Sequence, residues 1–205
     1  MKRISTLLAL LLLTSIPISC NWGCGPFTPL ESRITDMSAS VGVLDTASNF
    51  STVKSTDFIE AAIELMITNL DYTEISAIDG TVNFSFLNAA YACSPPDPKP
   101  QAIESIVLTS DAPIFAKDRK FEAGESLNEL FQITNYSSHQ ETLSIADFIE
   151  LQQDYLYTFA YLGDVIVFQL KEKPDSVINQ TILIEFEFSY GEGIRVESGD
   201  FEVDN

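Results

Sequence analysis

The stretch Thr181-Ile182-Leu183-Ile184-Glu185-Phe186-Glu187-Phe188-Ser189 decides the fold class. In an extended chain successive side chains point to opposite faces. Ile182, Ile184, Phe186 and Phe188 therefore share one side, and Leu183, Glu185 and Glu187 share the other. This is the period-two signature of a strand buried on one face.

Similar runs flank it. Tyr155 to Ala160, Val165 to Leu170 and Ile194 to Val203 are β-branched and aromatic, and Gly163-Asp164, Pro174-Asp175 and Gly191-Glu192-Gly193 separate them with turn residues. Further upstream, Ile103, Val107 and Leu108 lie in a strand-like run that ends at Thr109-Ser110. Met37, Ala39, Val41 and Val43 alternate with Ser38, Ser40 and Gly42. Residues 57–68 are ambiguous, because Ala, Glu, Leu and Met favour helix. Ile59, Ala61, Ile63, Leu65 and Ile67 nevertheless alternate strictly, and a helix would scatter them around its circumference, so the segment reads as a strand. Val82, Phe84, Phe86 and Leu87 form a further short strand or structured loop.

Two capping boxes predict short helices, at Ser126-Leu127-Asn128-Glu129 and at Ser144-Ile145-Ala146-Asp147, the second running to about Gln153. The expected fold is mainly β: an antiparallel β-sandwich, immunoglobulin-like in architecture, with two short helices. The inter-sheet disulfide and core Trp of antibody domains are missing, since the one Trp is Trp22, in an irregular lead-in. Residues 33–205 read as a single domain, with a candidate internal seam at 94–100, where prolines at 95, 96, 98 and 100 oppose regular strand pairing.

The amino end gives an address. Lys2 and Arg3 precede an apolar run, Leu7 to Leu13, and small Ser19 stands before Cys20. That order describes an export signal. The run is well short of the ~20 residues that cross a bilayer. Ser19-Cys20 at its end resembles the bacterial lipoprotein cleavage site, although Pro17 stands where Leu is usual. The resemblance implies removal of residues 1–19, a diacylglyceryl group on the Cys20 thiol and acylation, for instance by palmitate, of the new amino end. Residues 20–32 then become a tether. The alternative is an ordinary cleaved signal that leaves Cys20 free or disulfide-bonded.

With Cys20 lipidated, Cys24 and Cys93 remain in an oxidising compartment, and a disulfide between them is the expected pairing. Closing so long a loop contributes ~4 kcal/mol on the chain-entropy account. It would also hold the domain three residues from its lipid.

The chain carries 30 Asp+Glu against 11 Lys+Arg, a formal net charge of −19, and the leader removes two of the cations. Such acidity opposes nucleic-acid binding, which needs basic surface to displace counterions. Its ordinary consequence is a solvated, self-repelling surface. Divalent-cation binding lacks an Asp-x-Asp-x-Asp-Gly loop to support it.

Several features together resemble a family of small Bacteroidota lipoproteins known only as a domain of unknown function. They are the Ser19-Cys20 site, Ala92-Cys93 before its proline cluster, Ile103 to Ser110, Gly124-x-x-Leu127-Asn128, and Leu170-x-x-x-Pro174 with the closing hairpin. The likeness implies an envelope location, an outer-membrane lipid anchor and a β-rich fold; it transfers no catalytic residue.

Little points to catalysis. His139 is the one histidine, in a polar loop, and no Gly-x-Ser-x-Gly elbow supplies a serine for it. Zinc would need several His or Cys ligands, and phosphate cradles of the Gly-x-Gly-x-x-Gly type are missing. The expectation is no enzyme and no cofactor. Tyr155, Tyr157, Phe159 and Tyr161 fall at spacing two and would share a strand face, either covering the core or stacking on sugar rings. Asp45-Thr46-Ala47 and Asp175-Ser176-Val177 resemble the Bacteroidota O-glycosylation sequon, which would place glycans on Thr46 and Ser176. The function expected is a membrane-anchored, non-catalytic interaction module that binds another envelope component, protein or glycan, or an extracellular ligand, without the sequence naming which. The alternative is a carbohydrate-binding lipoprotein of a glycan-uptake system that uses Tyr155, Tyr157 and Tyr161.

Overall fold

The computed structural model describes residues 30–53, 57–74, 99–136, 142–152, 159–189, 191 and 193–204. The chain divides into two compact units, Met1–Glu31 with Tyr72–Lys99 and Ser32–Asp71 with Pro100–Asn205. Nearly all described residues belong to the second.

Its elements are β1 (Leu30–Leu44), β2 (Phe50–Ser51), β3 (Ala61–Glu74), β4 (Lys99–Pro100), β5 (Ile103–Ser110), β6 (Ile114–Ala116), β7 (Arg119–Phe121), β8 (Phe131–Tyr136), α1 (Ile145–Leu151), β9 (Val165–Leu170), β10 (Ile178–Phe188) and β11 (Gly193–Val203). One sheet runs β2-β1-β3-β9-β8, a second runs β11-β10-β5, and β6 pairs with β7 in a separate hairpin. β10 is antiparallel to both of its neighbours, and β9 to both of its own.

The alternation read in β10 becomes its packing. Ile182, Ile184, Phe186 and Phe188 are 0–1% exposed, whereas Glu185 and Glu187 face solvent. On β3, Ile63, Leu65 and Ile67 are buried, which resolves the ambiguous segment as a strand. That strand begins at Ala61 because the Asp57 carboxylate accepts the Ile59 N–H and the Asp57 carbonyl accepts those of Glu60 and Ala61, a tight turn. Ile59 is left exposed in the turn.

The inner faces of both sheets feed one apolar cluster: Ile63, Leu65, Ile166 and Phe168 from the first, and Ile106, Leu108, Ile184, Phe186 and Phe201 from the second. Phe131 of one sheet meets Phe201 of the other with ring centroids 5.9 Å apart at 49°. This is a mainly β, antiparallel, sandwich-like body. Each such apolar side chain contributes about 1.5–3 kcal/mol by leaving water.

The prediction of two helices is corrected to one among the described residues. α1 forms as its capping box indicates: the Ser144 hydroxyl accepts the Asp147 N–H at 3.1 Å, and Ile145 and Phe148 turn inward. The box at Ser126 yields only a turn, in which the Leu130 N–H reaches the Leu127 carbonyl before the chain enters β8. Asn128 explains the difference. Its side chain accepts the Leu108 N–H at 2.9 Å and donates to the Ile106 carbonyl at 2.6 Å, so the amide acts as a one-residue strand on the outer edge of β5. The Leu127 N–H adds a bond to the Leu108 carbonyl at 2.7 Å, and Gly124, at φ 78°, gives one to Ser110 at 3.0 Å. These tertiary bonds outweigh one marginal helical turn.

The strand read over Tyr155 to Ala160 also differs where it is described. Phe159 and Ala160 are buried outside any strand, and the Phe159 N–H donates to the Gln152 side chain. Residues 153–158 lie outside the described residues, as do Val82 to Leu87 and prolines 95, 96 and 98.

β11 carries a β-bulge. Its register with β10 shifts between Leu183↔Glu197 and Thr181↔Asp200, so Ser198 and Gly199 together face Ile182. The Ile182 N–H, left without a carbonyl, donates to the Ser198 hydroxyl at 3.0 Å, and that hydroxyl donates to Gly199. Ser198 is itself 5% exposed, so nothing else there can replace it cheaply.

Two substitutions test these devices. Asn128→Ala and Ser198→Ala each strand buried backbone groups and should each cost about 1–3 kcal/mol. Urea unfolding should show lower midpoints with unchanged slopes.

Candidate binding groove

Bonds that the sandwich needs leave one face of the β11-β10-β5 sheet facing outward. Leu183, Glu185, Arg195 and Glu197 stand on that face, because they alternate with the core residues Ile182, Ile184, Val196 and Phe186. With Thr109, Ser110, Asp111, Gly124 and Thr181 they line a groove of about 430 Å³. Strand register sets the order across it: Thr109 opposes Leu183, Leu183 opposes Glu197, and Glu185 opposes Arg195.

Asp111 closes one end. Its N–H bonds the Thr181 carbonyl and its carboxylate accepts the Thr181 N–H, both at 3.2 Å, so the chain leaving β5 stays locked to β10. Arg195 Nε lies 3.5 Å from Glu185 Oε1 with both side chains about half exposed. Such a pair is worth under ~1 kcal/mol and leaves both groups available to a ligand. Three carboxylates, one guanidinium and two threonine hydroxyls make the groove net acidic, and its surface is about equally polar and apolar, with Leu183 among its lining. It is built to exchange hydrogen bonds with a polar partner, and its lining contains no His or Cys.

None of the residues singled out in the sequence is among the described residues that line the groove. Cys20, Cys24, Cys93, Tyr155, Tyr157 and His139 are outside the described residues. Tyr161 is 52% exposed at the bend before β9, while Phe159, two residues earlier, is 1% exposed, so these two do not share a face. Thr46 is exposed in the turn between β1 and β2, and Ser176 is half-buried in the bend before β10. Among the described residues no group of three or more His, Cys, Asp or Glu is placed to hold a metal ion. Sequence reasoning found the outward side of β10 but not the groove. Its lining comes from three strands and two loops, and only the tertiary fold brings those together.

Two carboxyls away from the groove are tuned in opposite directions. Glu64 projects from β3 on the same outer side as Ala62, opposite Val167, both part of a small second apolar cluster with Leu44. Burial there raises its pKa. Asp45 is lowered, first by the Asn49 N–H and then by the Asn49 side chain, with Ala47 N–H also bonded to it at 2.8 Å.

Comparisons with protein-family models, with curated proteins and with solved structures found no match.

The two carboxyls predict opposite pH effects. A carboxyl that holds its proton more tightly in the fold opposes folding once it is ionised in both states. Glu64→Gln should therefore stabilise the protein at neutral pH, and the gain should vanish as pH falls below the usual glutamate range. Asp45 contributes stability above the usual aspartate range that is lost as pH falls through its depressed value, so Asp45→Asn should destabilise only above that window. Thermal melts of both variants across pH 3–8 measure the two signs.

Proposed function

We propose that this chain is a lipid-anchored lipoprotein of the bacterial cell envelope that acts as a non-catalytic binding module. The observation that carries the anchor is the leader itself: two cations, an unbroken apolar run and Ser19 before Cys20. Two or three acyl chains on Cys20 would hold the protein firmly where one is marginal, since each buried methylene adds ~0.8 kcal/mol. Cys24 and Cys93 form a disulfide in this reading and bring the domain close to the membrane. The site is that of the outer membrane, and the protein belongs with the small Bacteroidota lipoproteins it resembles.

The binding surface in this reading is the groove across β5, β10 and β11. Its carboxylates, hydroxyls and guanidinium suit a polar partner, a protein of the envelope before a glycan. A glycan draws support from one observation, the exposed ring of Tyr161, which offers a face for a sugar to stack on.

Cys20→Ala should move the protein from the membrane to the soluble fraction, and the amino-terminal peptide of the parent should carry the mass of a diacylglyceryl group and an added acyl chain. An unmodified Cys20 thiol in membrane-extracted protein would sink the anchor. The same peptide map reads the Cys24–Cys93 bond. Glu185→Ala should reduce capture of the partner from solubilised envelopes several-fold, whereas Tyr161→Ala should do so only if the partner is a glycan.

A further inference from the structure

Charge is missing from one turn of this acidic chain. In a sequence that is 20% charged, Phe159 to Leu170 contains a single charged residue, Asp164, and Leu65 to Leu70 contains none. The fold brings these two runs together. Met66 opposes Val165 across β3 and β9. The Ile67 N–H donates to the Asp164 carbonyl and the Gly163 N–H to the Ile67 carbonyl, both at 3.1 Å. The carboxylate of Asp164 folds back on its own turn, where it accepts the Tyr161 N–H at 3.2 Å and the Ala160 N–H at 3.3 Å. Gly163, at φ 86°, lets that turn close. The nearest charges along β3 are Glu64 and Asp71.

The turn presents apolar side chains to the outside. Leu162 is 65% exposed, Tyr161 52% and Met66 37%. Because backbone bonds already hold the turn, burying its tip in a partner orders little more of the chain.

The direction of the strands says which partner is near. The Leu44 N–H donates to the Glu60 carbonyl at 2.8 Å, so the neighbours β1 and β3 run antiparallel. The Ser32 end of β1 and the Ile67–Asp71 end of β3 therefore lie at the same end of the sheet, and the turn is tied to Ile67. The chain arrives at Ser32 from Cys20, twelve residues earlier. Twelve residues span at most about 40 Å. A bilayer holding Cys20 is thus within reach of the turn. Its chemistry suits one: Tyr settles at the headgroup level and Leu in the acyl boundary below. A tip with no free acid also avoids the desolvation that carboxylates elsewhere on this surface would meet there.

We infer that the Tyr161-Leu162 turn dips into the bilayer that holds Cys20, as a second attachment that sets which way the sandwich faces. The inference rests on the reading of Cys20 as a lipid anchor. Two side chains do not recruit a protein from solution; the anchor supplies the high local concentration at which they engage.

Fluorescence in lipid tests this on the full chain purified with its anchor and placed in phosphatidylcholine vesicles, plain or brominated on the acyl chains. Trp22→Phe removes the one native indole. In that background Leu162→Trp should emit at shorter wavelength in vesicles than in water, and brominated lipid should quench it roughly twofold or more. Ile59→Trp, an exposed position at the other end of β3, should keep a water-like spectrum and resist quenching. Tyr161→Trp should respond as Leu162→Trp does, and combining it with Leu162→Glu should abolish the response. Circular dichroism checks that each variant is folded, and flotation with the mass of the amino-terminal peptide checks the anchor. A lipidated, floating protein whose position 162 stays water-like overturns the inference and leaves the anchor standing. Equal quenching at 59 and 162, or quenching at 161 that survives Leu162→Glu, overturns it as well. A Cys20 that carries no lipid removes the anchor and the inference together.

Discussion

The structure depends on burying the inner face of β10 against the opposite sheet. Ile182, Ile184, Phe186 and Phe188 are all at or below 1% exposure, and they share one cluster with Leu65, Ile166 and Phe168 across the sandwich. β10 is also the central strand of its sheet, hydrogen-bonded on both sides. Moving its register by one residue would place Glu185 and Glu187 in that core and expose four large apolar side chains. Everything bonded to β10 inherits the constraint, including the bulge that lets Ser198 serve the Ile182 N–H.

A sandwich with fixed registers still has edges, and most of the irregular structure here deals with them. The segment from Gly124 to Asn128 uses one positive-φ glycine, one backbone N–H and one side-chain amide to satisfy β5. The β6-β7 hairpin next to it is tied down by Arg119, which pairs with Glu125 and Glu129 and stacks over Phe121 at 4.4 Å. The Glu122 N–H and Arg119 together depress the Glu125 pKa. Those groups are exposed, so their role is to order a loop rather than to supply much stability. The groove beside β11 is what remains of the solvent face once those edges are closed.

Reading from sequence worked where a segment's fate depends on its own periodicity. β9 was legible to the residue, β5 likewise, and β10 and β11 to within a few residues of their ends, because each alternates or is continuously apolar between turn signals. Ser144 capped its helix as expected, since a capping box is complete within four residues. The same four-residue logic failed at Ser126, where Asn128 finds better partners on β5, twenty residues away in sequence. Period-two reasoning failed at Phe159 and Tyr161, because the core takes the first ring and leaves the second exposed.

By itself the sequence determined the strand faces and the chain's net acidity, since these follow from side-chain chemistry over neighbouring residues. Tertiary structure alone decided which strands are neighbours, how the edge of β5 is closed, and that Thr109, Asp111, Leu183, Glu185, Arg195 and Glu197 line one groove. The physical reason is that strand pairing is non-local: identical backbone groups can pair in many registers, and only burial of both inner faces at once selects one.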